Sequence, residues 1–242
     1  MRTYLVTMGG TVQGESLWTK EGITRDFNKE AHRLVDSSAP YYTFDKFIIL
    51  NNNFIKTCPQ YKDHRDVLDK PSFGTAFKPV GFYNLMLQID YGDIILWIDS
   101  NHVFQDTPKP IIDWVNSYDI FARDHFRTIY KNKQWTHRTT FVNMKCDEKK
   151  YWNAPQMQCN IIALLKNDFT MKFIKEFMDY SLDYNTMFGI GDYTDFPEFV
   201  TNRKEQSIFS ILIKKYNIHY LIRDHFPEWE KIAPEDLDGI VA

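Results

Sequence analysis

Glycine is scarce in this chain, at 10 of 242 residues. A phosphate-cradling loop needs several glycines at fixed spacing, so that backbone N–H groups can approach the ligand; the shortage disfavours a P-loop or a dinucleotide-binding fingerprint. Cysteine is scarcer still: Cys58, Cys146 and Cys159, an odd number without a C-x-x-C pair. That argues against a disulfide framework or a zinc ribbon and fits a reducing compartment. A strong charge of one sign is also missing. The chain has 29 Lys+Arg against 32 Asp+Glu, which argues against a nucleic-acid binder and an acidic tail protein. No apolar run reaches the roughly 18 residues of a membrane span. The opening MRTYLVTMGG holds too short an apolar stretch for a signal peptide. The expectation is a soluble, cytoplasmic protein with no nucleic-acid partner.

Apolar residues make up 43% and aromatics 16% of the chain, enough for a large core. Thr3–Thr7 reads as a first strand ending at Met8-Gly9-Gly10, and Ile23, Phe27, Ala31 and Leu34 mark one helical face. Lys46–Leu50 reads as a second strand. Phe82, Leu85, Met86 and Ile89 mark a helix with Pro79 in its first turn. Asp93–Asp99 (DIILWID) is the clearest strand, apolar throughout its interior and so expected to be buried on both faces. Tyr118–Ala122 and Asn160–Leu165 read as further strands. Lys131–Asp147 reads as a loop or an antiparallel excursion. Asp168 is the expected cap of a helix with the core stripe Phe169, Phe173, Phe177 and Tyr180. Residues 184–200 read as a functional loop, followed by a helix from about Glu205 to Tyr216. Strands alternating with helices argue for an α/β domain.

Ligands of such sheets bind beyond the carboxyl ends of the strands. Two ends stand out there: Thr7-Met8-Gly9, and Asp99-Ser100-Asn101-His102. A carboxylate at Asp99 with the Asn101 amide two residues on could hold Mg²⁺ or Mn²⁺ through hard oxygen ligands. Asp99 could equally cap the following turn. A haloacid-dehalogenase-type phosphatase also places an Asp after an apolar strand, but it needs a second acid two residues later and a site near the N-terminus, and neither is present.

The stretch Ala76–Val103, AFKPVGFYNLMLQIDYGDIILWIDSNHV, resembles the pattern W-K-P…L…I-x-x-G-D-I-L-L-Y-x-D-A-G of GT-A-type glycosyltransferases. The segment 202–218, NRKEQSIFSILIKKYNI, resembles their H-R-x-D-Q-S-I-x-S-L-L-x-K-K-Y, and Gln158–Lys166 (QCNIIALLK) occupies the place of a strand near the acceptor side. The likeness spans about residues 3 to 226. It is to enzymes such as bacteria and large DNA viruses use to build glycans.

The resemblance implies a single GT-A (Rossmann-like) domain over 1–242, a mixed, mostly parallel sheet flanked by helices. About 1–103 would form the nucleotide-sugar-binding half and about 104–242 the acceptor-binding half. It implies transfer of a sugar from a nucleoside diphosphate donor, a UDP-sugar by family frequency, to a glycan hydroxyl. Asp99 takes the first position of the family's Asp-x-Asp, and Asn101 stands where the second acid is usual. A Mn²⁺ or Mg²⁺ site of Asp99, Asn101 and a late histidine, His225, is then expected. Thr7, Met8 and Gly9 would face base and ribose, while Arg25, Lys78 and Arg203 are candidate phosphate contacts. The acceptor's base is open among Asp192, Asp195 and Glu205, although Asn202-x-x-Glu205 also reads as a capping box. Trp135, Tyr151, Trp152 and Tyr193 could stack on a sugar. The lost second acid keeps another class in view, a catalytically impaired relative that only binds nucleotide or glycan.

Overall fold

The computed structural model of the chain describes residues 1–10, 17–20, 23–69, 76–124 and 130–222. Its elements are strands β1 (Thr3–Met8), β2 (Leu17–Lys20), β3 (Ile23–Asp26), β4 (Lys46–Leu50), β5 (Ile94–Ile98), β6 (Ile120–Phe121) and β7 (Ile161–Leu165). The helices are α1 (Phe27–Ser38), α2 (Asn52–Thr57), α3 (Arg65–Leu68), α4 (Phe77–Gln88), α5 (Lys109–Tyr118) and α6 (Asn132–Trp135). They continue as α7 (Arg138–Asn143), α8 (Lys149–Trp152), α9 (Asp168–Leu182), α10 (Tyr184–Phe188) and α11 (Glu205–Lys215).

Five strands form one sheet in the order β4-β1-β5-β7-β6. β1 pairs in parallel with both β4 and β5, and β7 runs antiparallel to β5 and β6. Four of the five strands therefore point the same way, and the expected α/β architecture with a mixed, mostly parallel sheet is observed. β2 and β3 pair separately as an antiparallel ribbon.

The two-residue period of the strands divides the core in two. Tyr4, Val6 and Met8 of β1, Ile95 and Trp97 of β5, and Ile162 and Leu164 of β7 face a large cluster with Phe82, Phe173, Phe177 and Phe209. Leu5, Ile94, Leu96, Ile98, Ile161 and Ala163 face the opposite cluster with Leu34, Ile111 and Val115. Burial on both faces explains why β5 reads as a continuous apolar run.

Several local expectations are corrected. Ile23 belongs to β3, and α1 starts only at Phe27, because the Asp26 side chain accepts the Lys29 N–H and caps it there. α9 is capped by Asn167, whose side chain accepts the Thr170 N–H; Asp168 is already the first helical residue. Phe169 lies outside the core stripe and is exposed, whereas Phe173 and Phe177 are fully buried. The stretch 131–147 contains the short helices α6 and α7, too brief to show a 3.6-residue period. Residues 184–188 form α10, closed by Gly189 in the left-handed conformation that suits glycine. The capping box at Asn202 does not form. Lys204 occupies the N-cap, so Glu205 is the first helical residue and not the third.

Candidate functional site

The adjacency of β1 and β5 decides where the site lies. Val6 pairs with Trp97, so Thr7-Met8-Gly9 and Asp99 leave the sheet side by side at the carboxyl edge. Gly9 donates its N–H to the Leu50 carbonyl at 2.8 Å. A Cβ there would lie 2.5 Å from Cγ2 of Ile49, so the tight exit from β1 requires glycine. Thr7 is fully buried and its Oγ1 has no hydrogen-bond partner.

Asp99 is fixed by three groups. Its backbone N–H donates to the Asn160 carbonyl at 2.9 Å. The Trp97 indole N–H donates to Oδ1 at 2.6 Å, a contact available because residues two apart on a strand share a face. Lys78, in the first turn of α4, reaches the same oxygen at 3.0 Å. Its ammonium also donates to the Cys159 carbonyl at 2.7 Å and lies 5.5 Å from the Trp97 ring centre. The Lys78 side chain is only 6% exposed while that of Asp99 is 35% exposed. Lys78 thus lies beneath Asp99 and directs its ammonium inward. Burial works against its charge, but Asp99 and Glu205 outweigh this and hold its pKa above the usual lysine value.

Glu205, at the first position of α11, is the second acid of this cluster and, unlike Asp99, is buried. Burial pushes its pKa above the usual carboxylate range; Lys78 opposes this and Asp99 adds to it. Two cations precede it. Arg203 is half-buried, its pKa lowered by burial, and its guanidinium lies 4.7 Å from the Trp135 ring centre. Lys204 is half-buried too and likewise lowered by burial. It adopts φ 54°, ψ −118°, a backbone conformation rare outside glycine and one often met at functional sites. The side-chain oxygen of Asn202 holds this turn by accepting the Lys204 N–H at 3.1 Å. Asp99, Lys78, Glu205, Arg203 and Lys204 are thereby brought into one electrostatically coupled group.

The other expected residues fall elsewhere. Arg25 is engaged by Glu30 through two bonds of 3.0 and 2.7 Å, and Glu30 accepts from Ser100 at 3.4 Å, so Glu30 links Arg25 to the edge. Asp195 has both oxygens engaged. Oδ2 accepts from Nδ1 of His137 at 2.6 Å and Oδ1 accepts the Arg138 N–H at 2.8 Å, which ties the 189–200 segment to α7. Asp192 and Tyr193 are exposed on that segment. Trp152 donates to Asp147 and packs on Phe196, and Tyr151 is buried, so the four aromatics do not form one platform. His225 lies outside the described residues.

A Mn²⁺ or Mg²⁺ ion needs several free oxygen ligands. Asn101 Oδ1 faces Nδ1 of His102 at 2.9 Å. Asp99 Oδ1 receives both Lys78 and Trp97. Among the described residues no group of three or more His, Cys, Asp or Glu could hold a metal. Among the described residues, Asp99 with an ammonium on one oxygen and the Asn101 amide do not by themselves make a Mn²⁺ or Mg²⁺ centre.

Trp97, Cys159 and Lys204 were not singled out from sequence. Trp97 was recoverable from the strand period. The Cys159 carbonyl and the turn at Lys204 leave no signal in residue type.

The fold and site define an α/β domain with a charged ligand edge at the ends of β1 and β5. The sequence matches no protein-family model and no curated protein sequence. Among solved structures, the chain is similar to mouse xyloside xylosyltransferase 1 in its apo form, at 10% identity and a TM-score of 0.47, over 95% of this chain and 93% of that one. It is similar to the apo WbbM bifunctional glycosyltransferase at 11% identity and TM-score 0.43, over 87% of this chain and 37% of that one. It is also similar to the bifunctional IspDF of Campylobacter jejuni at 10% identity and TM-score 0.37, over 92% and 49%. No helix among the described residues is long and apolar enough to cross a membrane.

Proposed function

We propose that this protein is a glycosyltransferase that moves a sugar from a nucleoside diphosphate donor, a UDP-sugar, to a hydroxyl of a glycan acceptor. The observation that carries the reading is the cluster at the carboxyl edge, beside the exit of β1, in which buried Lys78 and Glu205 lie behind the part-exposed Asp99. The motif resemblance around Ala76–Val103 and 202–218 supports it, because those two segments supply all three residues.

In this reading the acceptor oxygen forms a bond to the anomeric carbon while the bond from that carbon to the diphosphate oxygen breaks. The diphosphate leaves with the bonding pair, and the acceptor's proton passes to Glu205. A carboxyl group raised towards the working pH is a better base than an ordinary one. Arg203 and Lys204 face the charge that grows on the departing diphosphate. The open Oδ2 of Asp99 accepts a donor hydroxyl. Nucleotide base and ribose lie at the exit of β1 over Gly9, whose backbone is reachable while the Thr7 and Met8 side chains are buried beneath it.

Thermal shift with UDP-, GDP- and CMP-sugars tests the reading. A ligand at a hundred times its Kd stabilises the fold by about 2.7 kcal/mol. A shift with UDP-sugars and release of UDP on adding glycan acceptors are expected; no shift with any nucleotide overturns the reading. UDP binding without turnover on any acceptor favours a nucleotide-binding relative instead.

A further inference from the structure

A carboxylate and a diphosphate repel each other, so a strand-end aspartate can face a diphosphate only where positive charge lies between or behind them. A bridging divalent cation is one solution, and the ligands expected for it among the described residues, Asp99 and Asn101, do not fit. The structure holds another. The Lys78 ammonium is bonded to Asp99 Oδ1 at 3.0 Å from the protein interior and anchored by the Cys159 carbonyl at 2.7 Å. The Trp97 N–H completes that oxygen's partners. A divalent cation on the outer oxygen would stand close to this fixed ammonium and be repelled by it.

We propose that the chain binds its nucleoside diphosphate without a divalent cation. Lys78 cancels the charge of Asp99 from behind, and Arg203 and Lys204 supply the attraction in front. This rests on the nucleotide-sugar reading above. Arg203 and Lys204 suit the task because their charged ends rest on aromatic rings, 4.7 Å from the Trp135 centre and 5.9 Å from the Phe188 centre, with Glu205 as the acid whose charge reaches both. Partial burial strengthens their attraction for an incoming anion. Lysine is the right residue at position 78. Its compact head fits between one carboxylate oxygen and one carbonyl, where a planar guanidinium needs a wider fork.

The experiment uses UDP as probe and the full chain, by thermal shift in EDTA and in excess MnCl₂. Loss of the free-Mn²⁺ electron paramagnetic resonance signal serves as a second readout. The expected result is the same UDP-induced shift in both buffers, and a free-Mn²⁺ signal that the protein alone does not diminish and that protein plus UDP diminishes no more than UDP alone, whose diphosphate binds some Mn²⁺ by itself. A UDP shift seen only with Mn²⁺ overturns the inference and leaves the nucleotide reading standing. No UDP shift in either buffer overturns both.

The variant Lys78→Met keeps the length of the side chain and removes its charge. It is expected to lose at least tenfold in UDP affinity in EDTA and to regain affinity with Mn²⁺, since the freed Asp99 then has an oxygen pair to offer a metal. Unchanged UDP affinity of this variant in EDTA overturns the role given to Lys78. Should Lys78→Met not fold, the wild-type comparison in EDTA and Mn²⁺ still decides.

Discussion

β5 carries an aspartate just beyond each end, Asp93 and Asp99, and the structure gives them opposite surroundings. Asp93 side-chain exposure is 2% and that of Asp99 is 35%. Asp93 accepts the Arg2 backbone N–H at 2.7 Å, the Tyr4 hydroxyl at 3.2 Å and the Asp90 N–H at 3.3 Å, with the Arg2 guanidinium 3.3 Å away. Both of its oxygens are engaged by groups of its own chain. Asp99 has one oxygen engaged and one open. The sequence DIILWID is nearly symmetric in residue type, so the difference arises from the chain around it. The amino end of β5 lies against the N-terminal residues and a tight turn at Gly92, with φ 84°. The carboxyl end opens between β1, α4 and α11. A fully bonded carboxylate fastens the fold, and a partly bonded one can receive a ligand.

The largest effect is expected at the open end. Glu205→Gln removes the base while keeping the shape, and general-base catalysis is worth about 10²- to 10⁴-fold in kcat. UDP affinity, measured by thermal shift, is expected to hold. The wild-type profile of kcat/KM against pH is expected to show an acid limb above the usual carboxylate range, since burial raises Glu205, with Lys78 opposing it and Asp99 reinforcing it. The variant is expected to lose that limb. A profile unchanged in Glu205→Gln assigns the base elsewhere; His137, aligned by Asp195, would be the next group to vary.

Asp99→Asn comes next. The amide still accepts from Lys78 but cannot make a charge-assisted bond to a donor hydroxyl, a difference of about 1.5–3 kcal/mol, or roughly 10- to 100-fold in UDP-sugar affinity. Titration calorimetry measures it. A loss equally large in Asp93→Asn would erase the distinction between the two ends.

That distinction was only half legible in the sequence. β4 and β5 were readable because apolar runs bounded by turn residues survive any tertiary context. Asp99 was readable as a site because it terminates such a run. Its pairing with Lys78, 21 positions away in sequence, was not, since it depends on α4 packing its first turn over Trp97. The box Asn202-x-x-Glu205 puts Glu205 at the third position of a helix, whereas the helix pattern starts at about Glu205; the turn at Lys204 decides for the second, and there Glu205 feels the Lys78 charge. Local patterns carry strands and caps, whereas a charge cluster assembled from α4, β5 and α11 is a property of packing.

At the fastened end the expected effects are on stability. Burial raises the Asp93 pKa, but the N–H bonds from Arg2 and Asp90, the Tyr4 hydroxyl and the Arg2 charge outweigh it, and the net value lies below the usual carboxylate range. A group that ionises more readily folded than unfolded contributes stability above its unfolded value, near pH 3.9, and loses it as pH falls through the folded value. Asp93→Asn is expected to cost about 1–3 kcal/mol at pH 7, from groups left poorly bonded. It should also flatten the decline in stability below about pH 4. Glu205 runs the other way: its raised value gives a contribution present below its unfolded pKa and lost as pH rises through the folded one. Urea denaturation of the two variants across pH separates these opposite slopes.

The smallest expected effect isolates one bond of the fastener. Tyr4→Phe removes the hydroxyl that donates to Asp93 Oδ2 at 3.2 Å in a buried setting and leaves the ring in the core. Loss of one such bond costs about 0.5–1.5 kcal/mol of stability. If the bond acts through Asp93, the cost shrinks in an Asp93→Asn background, and the double-mutant cycle reports the difference as coupling. UDP affinity should not change, because Tyr4 lies at the far end of β1 from Thr7-Met8-Gly9. A Tyr4→Phe variant that kept its stability but bound UDP more weakly would show that the two ends of β5 are linked through the strand, and that the division of labour between Asp93 and Asp99 does not hold.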